Sequence, residues 1–203
     1  TVDISRALAG ALNTYGSETL SAAKATDIIV GAARAGNFET SQFAASIGKV
    51  LPNAKAAGAS FEDTSGAVAL LTRTNGDAAR SITQVDALFR AFASPSKQTQ
   101  KLLGEVGLSA QDLRDSMSEK GLVGTMQMLD DALGGNQEQM GLLLGSSEAN
   151  SAALQILATD ASGIADTFGV VADSAGITDE AFGVVAETSA FKMQKAITNL
   201  KAT

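Results

Sequence analysis

The chain has 203 residues, 45% of them apolar, and a net charge of −7, which allows one or two domains with a buried core. It has no cysteine and no histidine, which excludes disulfides, thiolate and imidazole metal sites, and the commonest general base near neutral pH. The acidic balance argues against a nucleic-acid footprint, which needs clustered Lys and Arg.

The apolar content is unusual in kind. There are 37 alanines and 20 glycines, while aromatics are only 4%. Small side chains bury little area each, so a core made from them needs close helix–helix approach and yields modest stability per residue. Apolar spacing is helical almost everywhere, and no sustained period-2 alternation occurs. Phe43, Ile47, Val50 and Leu51 form one stripe; Ile82, Val85, Leu88, Phe89 and Phe92 form another; Leu122, Met126, Leu129 and Leu133 form a third.

In chain order, the pattern predicts helices over 4–14, 18–35, 40–57 with a break at Pro52, 61–74, 77–93, 96–106 and 109–118. Further helices are expected over 122–133, 137–144, 147–175 and 178–202. Ser60-Phe61-Glu62-Asp63 and Ser109 with Asp112 resemble capping boxes, and Thr178-Asp179-Glu180 places a cap and two acids ahead of another apolar run. Gly36, Gly58, Gly76, Gly107, Gly145 and Gly176 stand where helices should stop. Pro95 should separate two helices. Short connections between short helices favour an all-α fold, a compact bundle. The last two predicted helices are longer and could project as an arm or oligomerisation element.

Composition shifts once. Alanine is scarce over 101–150, where Leu, Met and Gly rise, which suits either a small subdomain or a Leu-packed part of one core. The segment Phe168-Gly-Val-Val-Ala-Asp-Ser returns 14 residues later as Phe182-Gly-Val-Val-Ala-Glu-Thr. Two copies are too few for a solenoid but could place equivalent stripes on a helical hairpin or a partner-binding seam.

Motifs that carry chemistry are missing. Gly48-Lys49 lacks the upstream glycine of a phosphate loop, and no nucleophile elbow or Asp-rich calcium loop occurs. Asp130-Asp131 and Asp179-Glu180 are adjacent pairs, but helix neighbours point apart and make poor acid–base partners. Glu148 suits first-turn dipole compensation, and Tyr15, the single tyrosine, suits a half-buried helix position. No catalytic, cofactor-binding or metal-binding residue is assigned, no cofactor is implied, and an enzyme is not expected. Gly141-Leu-Leu-Leu-Gly145 has the small-xxx-small pattern, read here as tight packing plus a helix stop. Lys192, Lys195 and Lys201 suit a helix C-terminus. No apolar run reaches the roughly 18 residues of a spanning helix, so no membrane contact is expected. The chain starts at Thr1 without a leader, and it reads as a piece of a longer protein.

An ordered set of motifs resembles the TP901-type core region of phage tail tape measure proteins. It runs through Asp27-Ile-Ile-Val-Gly-Ala-Ala33, Phe43-Ala-Ala-Ser-Ile-Gly-Lys-Val50, Pro52, Gly58-Ala-Ser60-Phe-Glu62, Ala67-Val-Ala-Leu-Leu71 and Asn75-Gly76. It continues through the stripe from Ile82 to Phe92, Pro95, Leu103-Gly-Glu-Val-Gly-Leu108, Asp112, Gly121, Leu144-Gly-Ser-Ser-Glu-Ala149, Leu154 and Leu157. The stretch 188–203 is similar to the lead into the next part of such proteins.

The resemblance implies a viral structural protein, found in the virion tail tube lumen and in the host cytoplasm during assembly, that sets tail length and leaves with the DNA. Implied partners are other copies of itself, the tail tube protein and tail assembly chaperones. A short-helix bundle over 1–146 and two longer helices over 147–203 are the expected division. The residues themselves disagree with a ruler, which should be one long helix with sustained heptads. A folded domain, outside the ruler or reorganised on assembly, fits them better. The alternative is a non-enzymatic helical adaptor of a bacterial protein; a carboxylate-dependent hydrolase is the third and weakest reading.

Overall fold

The computed structural model describes residues 2–178, and among them it contains eleven α-helices and no strand. The helices are α1 (Val2–Tyr15), α2 (Ala22–Gly36), α3 (Thr40–Ile47), α4 (Leu51–Ala57), α5 (Phe61–Asn75) and α6 (Ala78–Ala93). They continue as α7 (Lys97–Glu105), α8 (Ala110–Ala132), α9 (Gln137–Leu144), α10 (Ser147–Ala158) and α11 (Ala161–Ala172).

The ends follow local chemistry. Side-chain oxygens of Ser21, Ser60, Asp77, Ser96, Ser109, Asn136, Ser146 and Asp160 accept from first-turn N–H groups, so most helices start on a satisfied cap. The Ser109–Asp112 box is reciprocal, with the carboxylate accepting from the Ser109 N–H at 2.7 Å. Gly58, Gly76 and Gly145 end helices in the left-handed conformation.

The boundaries depart from expectation at four places. The break expected at Pro52 falls across 48–50, and Pro52 sits where the helix restarts, in the first turn of α4, where its missing N–H costs nothing. Gly36 is the last residue of α2, and Asn37 takes the left-handed cap at φ 54°. The predicted helices 109–118 and 122–133 run together as α8 with a kink at Gly121, whose φ of 67° and ψ of −173° suit glycine alone. The predicted helix 147–175 is two helices, because Asp160 caps a new start and accepts from the Gly163 N–H at 2.6 Å.

α5 and α6 form the centre. Residues 64–72 of α5 are buried without interruption, which marks a helix enclosed on all sides. α5 packs against α2, α6 and α11, while α6 packs against α4 and α10. Among the described residues, fifteen of the 43 buried apolar side chains are alanine, so these contacts are made by close backbone approach. Phe43, Phe89 and Phe92 supply the bulk, each 0% exposed. Buried threonines on α5 donate to their own helix, Thr64 to the Ser60 carbonyl and Thr72 to the Val68 carbonyl, both at 2.7 Å.

One core runs through the described residues, from Ala7 to Val171. The Ala-poor stretch is its Leu/Met-packed part: Leu103, Leu113, Met117, Leu122, Met126, Leu129, Met140 and Leu143 all belong to that core. α10 lies on α6, α8 and α9, and α11 lies on α2 and α5, so within the described residues neither helix projects. The predicted helix 178–202, Asp179-Glu180, the second repeat copy and Lys192, Lys195 and Lys201 lie outside the described residues.

Candidate interaction site

No assembled catalytic centre emerges among the described residues. No group of three or more acidic residues is placed to hold a metal ion there. Asp130 is half-buried and Asp131 exposed, as expected of helix neighbours. Glu148 is exposed in the first turn of α10, and the local N–H and the Ser147 hydroxyl hold its carboxyl below the usual range. Gly145 caps α9, as its reading as a helix stop expects, while a Cβ on Gly141 would meet Asn150 at an ordinary 3.5 Å, so that position does not require glycine for packing.

Tyr15 opens onto a cleft of about 380 Å³ between the α1–α2 connection, the start of α5 and Ser118 of α8. Its ring tilts against Phe61, with centroids 6.1 Å apart. Burial pushes its pKa up to about 12, over the opposing influence of the nearby Thr64 hydroxyl. Asp63 shares the cleft, and burial pushes its carboxyl up despite the Ser60 hydroxyl donating to it at 2.9 Å. Lys24 and Glu62 pair across the rim at 2.9 Å. Gly121 abuts the Asp63 carboxyl so closely that a Cβ there would collide with it.

The most specialised contacts are those that seat α11. A Cβ added to Gly31 of α2 would lie 2.7 Å from the Ser174 Cβ, and one added to Gly66 of α5 would lie 2.7 Å from the Phe168 ring. Both glycines therefore serve as notches for the segment 168–174. Arg73 of α5 donates to the Thr167 hydroxyl at 2.8 Å. Asp27 of α2, 7% exposed, accepts from the Gly176 N–H at 2.8 Å and the Thr178 N–H at 3.1 Å. Burial pushes the Asp27 carboxyl up, but the Thr178 hydroxyl and the two N–H groups outweigh it, and the net shift is downward.

Sequence reasoning missed Asp27 as an anchor, because its donors lie 149 and 151 residues away. The available signals were an acid one turn before Gly31 on α2, off the Ala25–Ile28–Ile29–Ala32 stripe, and two glycines inside helices with no stop to make.

What the fold defines is an all-α structural bundle whose distinctive geometry lies in helix docking rather than in a reactive centre. No helix among the described residues is long and apolar enough to cross a membrane. The family model described as phage-related minor tail protein matches residues 1–145, more than half of the chain, and the chain belongs to that family. By that membership the chain is part of a phage-tail-related protein. The tape measure protein of Pneumococcus phage Dp-1 is 28% identical over 113 residues, which is 56% of this chain and 10% of that protein. The matched region thus spans about a tenth of that relative's length. No solved structure matches the chain.

Proposed function

We propose that this segment is a folded assembly domain of a tape measure-type tail protein. The observation that carries the reading is the family match over residues 1–145, which covers helices α1 to α9 of the bundle. The name of the phage Dp-1 relative supports the tape measure assignment. The segment acts through packing and contact rather than catalysis, in keeping with a chain that has no His and no Cys. Its partners are other copies of itself, the tail tube protein and tail assembly chaperones, met in the host cytoplasm and then in the tube lumen.

As a bundle the segment adds little length to a ruler. Fully helical, 203 residues would span about 300 Å at roughly 1.5 Å per residue. Among the described residues the longest helix, α8, has 23 residues and is kinked. The test is an in-frame deletion of residues 1–203 in the source phage or prophage, with completed tails counted by electron microscopy. The reading predicts a sharp fall in completed tails, restored by supplying the intact protein. Normal numbers of infectious tails would refute an assembly role.

A further inference from the structure

The seat on α2 and α5 holds one copy of a sequence that the chain carries twice. Phe168 fits the Gly66 notch, Val171 is 1% exposed, and Ser174, 2% exposed, lies against Gly31. These anchors are three residues apart: Phe168 and Val171 lie one turn apart on α11, and Ser174 follows just past its end. Phe182, Val185 and Thr188 repeat them at the same spacing, 14 residues on. The remaining clamp is largely main-chain, since Asp27 accepts from the N–H groups of Gly176 and Thr178, with the Thr178 hydroxyl adding to them. The corresponding positions, Ala190 and Lys192, also carry an N–H, but they lack the glycine that takes φ 81° at 176 and the hydroxyl of Thr178, which favours the first copy.

We propose that this seat accepts either copy, so that residues 182–188 of the same chain fill it when 168–174 leave. The differences between the copies explain why the first is seated. Thr167 accepts from Arg73, whereas its counterpart Ala181 has no hydroxyl. Thr188 carries one methyl more than Ser174, at the place where Gly31 leaves no room to spare. The exchange passes 14 residues from one side of the seat to the other, about 21 Å of chain if helical. The seat thus works as a two-position latch on the chain that follows the bundle. This holds whether or not the segment acts in a tail.

The test uses the full 203-residue chain, as parent, Phe168→Ala, Phe182→Ala and the double variant. Hydrogen exchange is followed on the α2 and α5 amides that line the seat. Phe182→Ala leaves their protection at the parental level. Phe168→Ala raises exchange by no more than about threefold, because the second copy takes over, and the double variant raises it about tenfold or more. A ¹⁹F label at position 182 supplies the direct readout: in the Phe168→Ala chain it moves to the resonance that a label at 168 gives in the parent. The proposal is overturned if Phe168→Ala opens the seat as far as the double variant, or if the label does not move. Protection that appears only as protein concentration rises would assign the seat to a second copy and would also overturn it.

Discussion

Replacing Asp27 tests whether the α11 seat is fastened by a buried carboxylate. Asp27→Ala removes an acceptor for two main-chain donors, at 2.8 and 3.1 Å. Hydrogen bonds to a charged group contribute about 1.5–3 kcal/mol each. Two terms offset part of that loss. Water can reach the exposed Gly176 N–H once the carboxylate is gone, and the cost of burying the charge disappears. The net cost is about 2 kcal/mol, which corresponds to roughly 30-fold faster exchange of the α11 amides. Asp27→Asn keeps one acceptor and loses the charge, so it should fall about midway. The pH dependence follows from the lowered carboxyl pKa. The contribution is complete above the ordinary value of 3.8 and is lost as pH falls through the lowered value. Parental α11 should therefore loosen only below about pH 4, while the Asn and Ala variants lack this component. Native-state hydrogen exchange from pH 3 to 7 reads both effects. Exchange of α11 within twofold of the parent in Asp27→Ala, or a parental contribution that grows as pH falls, would refute the reasoning.

Three other perturbations probe different parts of the bundle. Gly31→Ala pushes a methyl to 2.7 Å from the Ser174 Cβ and should cost about 1–3 kcal/mol in urea unfolding; an unchanged midpoint would deny the close approach. Phe89→Ala, at a 0% exposed site in α6, should cost about 3–5 kcal/mol and lower Tm by roughly 6–20 °C in calorimetry. Gly121→Ala forces a side chain into a glycine-only conformation and against the Asp63 carboxyl, so chemical denaturation should show a loss of about 1–3 kcal/mol.

The fold class and most helix ends were legible because caps are local chemistry. Ser60, Ser109 and the stop glycines Gly58, Gly76 and Gly145 act on atoms a few residues away, and one sequence shows them all. The break was set at Pro52 rather than at 48–50 because a proline reads the same in a first turn as at a break, and the packing of α3 and α4 decides between them. Asp160 was overlooked because Ala-rich helical spacing runs through it, while the chain turns there to lay α11 on α2 and α5. The seat itself was illegible for a different reason. Gly31 and Gly66 look like weak helix residues until Phe168 and Ser174 arrive from more than 100 residues downstream. The repeat at 168 and 182 was visible, but its meaning depends on where the first copy docks.

The central claim is that this segment enters the tail as a folded bundle, not as a length of ruler. A phage whose tail protein carries residues 1–203 twice in tandem tests it most directly, with tail lengths measured by electron microscopy. The account predicts tails of parental length. Tails longer by an amount approaching 300 Å, the fully helical span of the added copy, would contradict it.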